Sequence, residues 1–243
     1  MPLNIRPAST NETGTEGLRR LRSRSMPEKA AELLREAIIA RQLKPGERLI
    51  EQKLAASLGI GQPTLREALK ELEYQGFARK SPKKGTYVTQ LSQEDFRQIL
   101  EVRMALEVLA IERAARKMTK AAAKELQENV TAMEAAARKF DLSAFHKSDL
   151  AFHRRIWTMT GNKYLEVALE RVAFGLFAFV LLQREPGSSN EFLASAEQHR
   201  QILAGLRTGN PVGARKAFVQ STLKFWRENH QVDLGDDVIS APA

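Results

Sequence analysis

The chain has 243 residues and no cysteine, which excludes disulfides, thiolate metal centres and cysteine nucleophiles. Its longest apolar stretch, Val172–Leu182, is too short to cross a bilayer, and residues 1–25 lack an apolar signal core, so a cytoplasmic protein with no membrane partner is expected. The net charge of +9 is unevenly spread, with 17 Lys and Arg against 10 Asp and Glu in residues 1–90 and 21 against 19 in the remainder, which points to a polyanionic partner for the first third alone.

Residues 1–26 mix Asn, Thr, Gly, Ser and Pro with a basic run, Leu18-Arg19-Arg20-Leu21-Arg22-Ser23-Arg24, and are expected to form a flexible arm. After Pro27, the spacing of Ala30, Leu33, Leu34, Ala37, Ile38 and Arg41 predicts an amphipathic helix to Arg41. The turn Lys44-Pro45-Gly46 follows, then a short extended piece at Leu49-Ile50. A second helix is predicted over Glu51–Leu58, closed by Gly59 in a left-handed cap. Gly61-Gln62-Pro63-Thr64 opens a third, running to about Gln75 with Leu65, Ala68, Leu69 and Leu72 on its core face. Two strands, Phe77–Lys80 and Thr86–Gln90, flank the basic turn Ser81–Gly85. Three helices and a small basic hairpin make residues 27–90 a winged helix-turn-helix.

Beyond Ser92 only helical patterns occur, near 92–118, 120–139, 142–160, 162–184, 190–208 and 211–230. Ser92 with Asp95, Thr119, Asp141, Gly161-Asn162, Pro186–Ser189 and Gly209-Asn210-Pro211 mark the ends. Short connections favour antiparallel neighbours. The expected fold is therefore mainly α: an N-terminal winged helix-turn-helix, then an all-α antiparallel bundle over 91–230 and a flexible tail over 231–243.

In a helix-turn-helix the N-terminal end of the second helix meets base edges. Here that end carries Gln62, Pro63, Thr64 and Arg66. Gln suits adenine, Thr a thymine methyl or a phosphate, and Arg guanine. Gln52 and Lys53 are placed for phosphates or a base. Lys83, Lys84, Gly85 and Thr86 form the wing tip, with charge for phosphates or the minor groove. Taken singly, Arg66-Glu67 also reads as a surface ion pair and Lys83-Lys84 as a solvated turn.

The runs Leu43-Lys-Pro-Gly-Glu-Arg-Leu49, Leu54-Ala-Ala-Ser-Leu-Gly59, Pro63-Thr-Leu-Arg-Glu-Ala-Leu69, Leu72-Glu-Tyr-Gln-Gly76 and Lys84-Gly-Thr-Tyr-Val88 resemble the GntR family of bacterial regulators. Two positions depart from its pattern: Gln62, and often Gln52, stand where relatives carry an Arg. The second half resembles the FCD ligand-binding bundle of the FadR-like branch, through Arg103-x-x-x-Glu107, Asp149-x-x-x-His153, Gly161-Asn162 and Glu197-x-His199. The resemblance implies a homodimer on double-stranded operator DNA, controlled by a carboxylate-bearing metabolite in the bundle, and no enzymatic role. It also implies a metal held by one Asp and three His.

Asp149 and His153 are one helical turn apart and can address one ion, with His199 joining from a facing helix. The third His of the pattern falls at Ser221. Three readings stay open: a weakly held zinc, nickel or manganese with water in the gap, a metal-free effector pocket using Asp149, His153, His199 and Ser221, or satisfied structural residues. Arg103 either clamps an effector carboxylate or pairs with Glu107. The residues around Phe174, Phe177, Phe179 and Leu181, with Trp157, Phe225 and Trp226, read as core or dimer seam. A metal hydrolase and an architectural DNA binder are the rival classes, but no nucleophile motif or phosphate loop supports the first.

Overall fold

The computed structural model describes residues 25–183, 189–232 and 234, without the side chains of 177–179, 181–183 and 189. Residues 1–24 of the expected arm, most of the tail, and the side chains of Phe177, Phe179 and Leu181 therefore lie outside the described residues, while Met26, placed in the arm, begins the first helix instead. Helix α1 spans Met26–Ile39. It opens on a capping box in which Ser25 N–H donates to Glu28 (2.8 Å) and Glu28 N–H to Ser25 Oγ (3.4 Å). Helices α2 (Glu51–Leu58) and α3 (Gln62–Tyr74) follow. Gly59 caps α2 at φ +63°, as its place in the sequence requires. Ala30, Ala31, Leu34 and Ile38 of α1 pack against Leu65, Ala68, Leu69 and Leu72 of α3 to form the small core. Leu33, expected on that face, is exposed instead.

The sheet holds three strands, one more than the hairpin predicted. β1 (Arg48–Leu49) lies outside β3 (Gly85–Val88), which pairs on its other edge with β2 (Ala78–Ser81). All pairs are antiparallel, with Arg48 and Arg79 both opposite Tyr87, and Leu49 and Lys80 opposite Thr86. Phe77 precedes β2 as a fully buried core residue rather than starting a strand.

Six further helices form the bundle: α4 (Gln93–Arg116), α5 (Lys120–Arg138), α6 (Leu142–Met159), α7 (Lys163–Gln183), α8 (Ser189–Arg207) and α9 (Pro211–His230). Ser92, Thr119, Asp141 and Asn210 accept the capping bonds that their positions predict. Among the described residues, no helix is long and apolar enough to cross a membrane.

The winged domain rests on α6 and α7 through the end of α3. Gly76 (φ +77°) lies so close to α7 that a Cβ there would sit 2.4 Å from the Phe174 carbonyl carbon and the Gly175 nitrogen. Around this point Tyr74 meets Phe174 edge-on at 5.4 Å and donates to Glu170, while Phe77 meets His146 edge-on at 5.2 Å. The linker folds back onto the same turn, with Thr89 Oγ1 donating to the Gly76 carbonyl at 2.5 Å. Replacing Gly76 by Ala combines a left-handed backbone cost with overpacking against main chain. A loss of about 2–4 kcal/mol in urea unfolding is expected. An unchanged midpoint would show that the two domains do not depend on this contact.

Candidate functional site

At the reading end of α3, Gln62, Pro63 and Arg66 are exposed and Thr64 is half-buried. No side chain caps this helix, so its first N–H groups are open to an acceptor. Gln52 and Lys53 are exposed on the first turn of the neighbouring α2. Arg66 does not pair with Glu67. Its Nε donates to Glu51 Oε2 at 2.7 Å, whereas Lys70 takes Glu67. At the wing tip Lys83 and Lys84 project into solvent from a turn closed by Lys84 N–H on the Ser81 carbonyl (3.0 Å), with Lys83 at φ +61° and Gly85 at φ +107°. Thr86 falls on the inner face of β3 and is buried, so the structure does not bring it to the wing surface. Arg48 does reach the wing: a Cβ on Gly85 would lie 3.3 Å from its Nε. That neighbour was invisible in the sequence, because it depends on the β1–β3 register.

The bundle holds a cavity of about 50 Å³. Arg103 of α4, His146, Asp149 and His153 of α6, and Ser195, Gln198 and His199 of α8 supply its polar walls; Phe145, Phe192, Phe225 and Trp226 supply much of the apolar wall. Phe225 and Trp226, expected as core or seam, are buried core residues that also line the cavity. Ser221 does not: its Oγ donates to the Phe218 carbonyl at 3.1 Å, and the adjacent Thr222 lines the wall, held by Gln198 at 3.0 Å. Asp149, His153 and His199 offer ligating atoms within 4.8 Å of one another. Asp149 Oδ1 is 2.9 Å from His199 Nε2 and 3.7 Å from His153 Nε2, and the two Nε2 atoms are 3.2 Å apart. Ligands of one tetrahedral ion stand roughly 3.3 Å from each other, so this triangle has the right size.

The second ring nitrogens orient both rings. His199 Nδ1 lies 2.6 Å from the Ser195 carbonyl oxygen, and His153 Nδ1 lies 3.1 Å from Glu107 Oε1. The Ser195 carbonyl only accepts, so His199 Nδ1 carries a proton and its Nε2 faces Asp149, while His153 Nε2 faces Arg103 and the same carboxylate. Asp149 Oδ1 and the two Nε2 atoms thus converge on one point, the arrangement that a cation would use. Glu107, fully buried, also accepts from Trp157 Nε1 (3.1 Å) and Arg103 Nε (3.3 Å). Burial opposes the charge on Asp149, but the His199 hydrogen bond and the neighbouring His199, His153 and Arg103 outweigh it and hold the carboxyl well below its ordinary range. Glu107 is likewise lowered, against burial, chiefly by His153 and Arg103. Burial lowers His153.

Comparison with known proteins assigns both halves. Residues 98–221 match the FCD domain, and residues 27–88 match the family described as bacterial regulatory proteins, gntR family. The chain belongs to the GntR family. Among GntR regulators, the "Probable D-xylose utilization operon transcriptional repressor" of Paenarthrobacter nicotinovorans is 30% identical over 184 residues, covering 76% of this chain and 80% of the relative. LutR of Bacillus subtilis (strain 168) is 28% identical over 197 residues, covering 73% and 89%. The solved structure of E. coli McbR/YncC shares the fold, with a TM-score of 0.69 at 23% identity over 86% of this chain and 99% of that one. As a GntR regulator with an FCD domain, the protein binds DNA and controls transcription. The matched families and relatives are regulators rather than enzymes, which sets the hydrolase reading aside.

Within this GntR framework His146 has a place that its spacing alone did not suggest. It lines the cavity one turn before Asp149, yet its ring packs against Phe77 of the winged domain. Burial pushes its pKa down to about 4. Between pH 6.5 and 4 the unfolded chain binds a proton there that the folded chain does not, so stability falls as pH falls through that window, by up to about 1.4 kcal/mol per pH unit. Melting temperatures of wild type and His146→Phe across pH 4–7 should therefore converge toward acid, the variant losing less. Parallel curves would remove His146 as the source.

Proposed function

We propose that this regulator grips operator DNA with the N-terminal end of α3 and the wing tip, and that a divalent ion and a small carboxylate-bearing metabolite in the bundle control that grip. The observation that carries the second half is the convergence of Asp149 Oδ1 and two Nε2 atoms in a buried cavity, with Arg103 alongside. Asp149, His153 and His199 would hold zinc, nickel or manganese, leaving coordination positions for water or an effector oxygen. Bound there, the ion would supply a positive centre that recognises a carboxylate. The chain's own residues set the rest: Glu107 and the Ser195 carbonyl orient the two rings, and the aromatic walls exclude water.

Cavity size supports a coupled movement. About 50 Å³ accommodates an ion and a few waters, well short of the roughly 150 Å³ of a cavity that takes up benzene. A larger acid would be admitted as the wall yields. One part of that wall is His146, whose ring bears on Phe77 next to the cap of α3. Effector binding would thereby change how the winged domain sits, with the Thr89–Ser92 linker following, and differential affinity for the two placements would set the response.

A two-fold dimer would match a palindromic operator. Supporting it, Val102 and Leu109 of α4 and Tyr164 and Val167 of α7, two helices packed together, leave large apolar side chains exposed.

Two measurements test the reading. Zinc added to metal-stripped protein should raise the melting temperature, EDTA should reverse the rise, and Asp149→Ala should abolish it; a protein indifferent to both has no ion site here. Against operator DNA, Arg66→Ala should cost about 1–3 kcal/mol at the cognate sequence, while Lys83→Ala should weaken all duplexes and reduce the salt slope by about one. Wild-type binding by both variants would move the interface elsewhere.

A further inference from the structure

Arg103 holds the lone pair that an ion would need. Its Nη2 lies 3.1 Å from His153 Nε2. With the His153 proton on Nδ1, facing Glu107, Nε2 has a single lone pair. It accepts from the guanidinium or it coordinates an ion, not both. The stem end of the guanidinium is anchored, since Arg103 Nε donates to Glu107 Oε1 at 3.3 Å. The Nη2 end is therefore the one that must move for an ion to reach His153 Nε2.

Charge decides what that end turns to. Arg103, Glu107 and Asp149 with neutral rings give the site a net charge of about −1, so a divalent ion brings it to about +1, and one carboxylate restores neutrality. Arg103 is itself buried and cannot take its charge to solvent. Among the described residues lining the cavity, Asp149 is the sole carboxylate, and the ion uses it.

We propose that Arg103 is a displaceable cap: it covers His153 Nε2 in the ion-free protein, is pushed off when an ion binds, and then takes the carboxylate of an organic acid, so that ion and acid bind cooperatively. This rests on the ion reading above and adds to it a direction of coupling. Reciprocity follows, because the acid must tighten the ion by the factor with which the ion tightens the acid.

The test measures zinc affinity by competition with a chelating dye, on full-length protein, with and without acetate as the carboxylate probe. Wild type is compared with Arg103→Met, and Glu107→Gln with the Arg103→Met/Glu107→Gln pair in case the single change leaves Glu107 too poorly matched to fold. Removing the cap should tighten zinc about tenfold, the worth of one charge-assisted hydrogen bond. Acetate should tighten zinc several-fold in wild type and not at all without Arg103. Equal or weaker zinc binding after loss of Arg103, or zinc binding in wild type that ignores acetate, overturns the cap while leaving the ion site standing. Absence of zinc binding in wild type, and in every variant, would instead sink the ion site itself, and the cap with it.

Discussion

The structure turns on a place where main chain meets main chain. The turn that ends the recognition helix lies against the Phe174–Gly175 backbone, closer than any side chain permits. Interiors are dense and transmit displacement rather than absorb it. A contact without side chains has no rotamers with which to absorb it. Tyr74, Phe77 and Thr89 gather around this point, so helix α3, the first wing strand and the linker are all referred to one spot on α6 and α7. The same α6 carries Asp149 and His153 into the cavity. His146 of the same helix and Phe77 join this cavity to the turn at the C-terminal end of α3.

The buried charges need a reason other than stability. Removing Arg103, Glu107 and Asp149 from water costs several kcal/mol per ion, and apolar replacements often fold as well or better. Here the carboxylate of Glu107 meets Arg103, His153 and Trp157 together. That arrangement fixes ring orientation, which a ligand site needs and a core does not. Buried groups held ready for a partner are a common mark of a functional site.

Helix ends were legible to within a residue or two because caps are local chemistry. Pro27, Ser92 with Asp95, Asp141 and Asn210 each announce a helix within four residues, whereas the Ser25–Glu28 box was not read. What depended on distant register was not legible. Strand β1 pairs only with β3, so the extended piece at Leu49-Ile50 was legible but neither its place in the sheet nor the position of Arg48 was. Thr86 faces inward for the same reason. In the bundle, Asp149 and His153 announced a site by spacing, but His199 joined them through family resemblance. Ser221 shows the limit of aligning one position: a short hydroxyl bonds more easily to its own helix than across a cavity, and Thr222 takes the wall instead.

The Arg66–Glu51 pair has a consequence for selectivity. In the free protein the arginine proposed to read a base is parked on a carboxylate at the head of α2. In the proposed docking Glu51 competes for Arg66 with the phosphates that any duplex offers. Releasing Arg66 is repaid in full only where the groove offers two well-placed acceptors, as guanine does. Elsewhere the acid remains a standing penalty. A residue that contributes nothing attractive thereby widens the gap between the right sequence and the crowd of wrong ones.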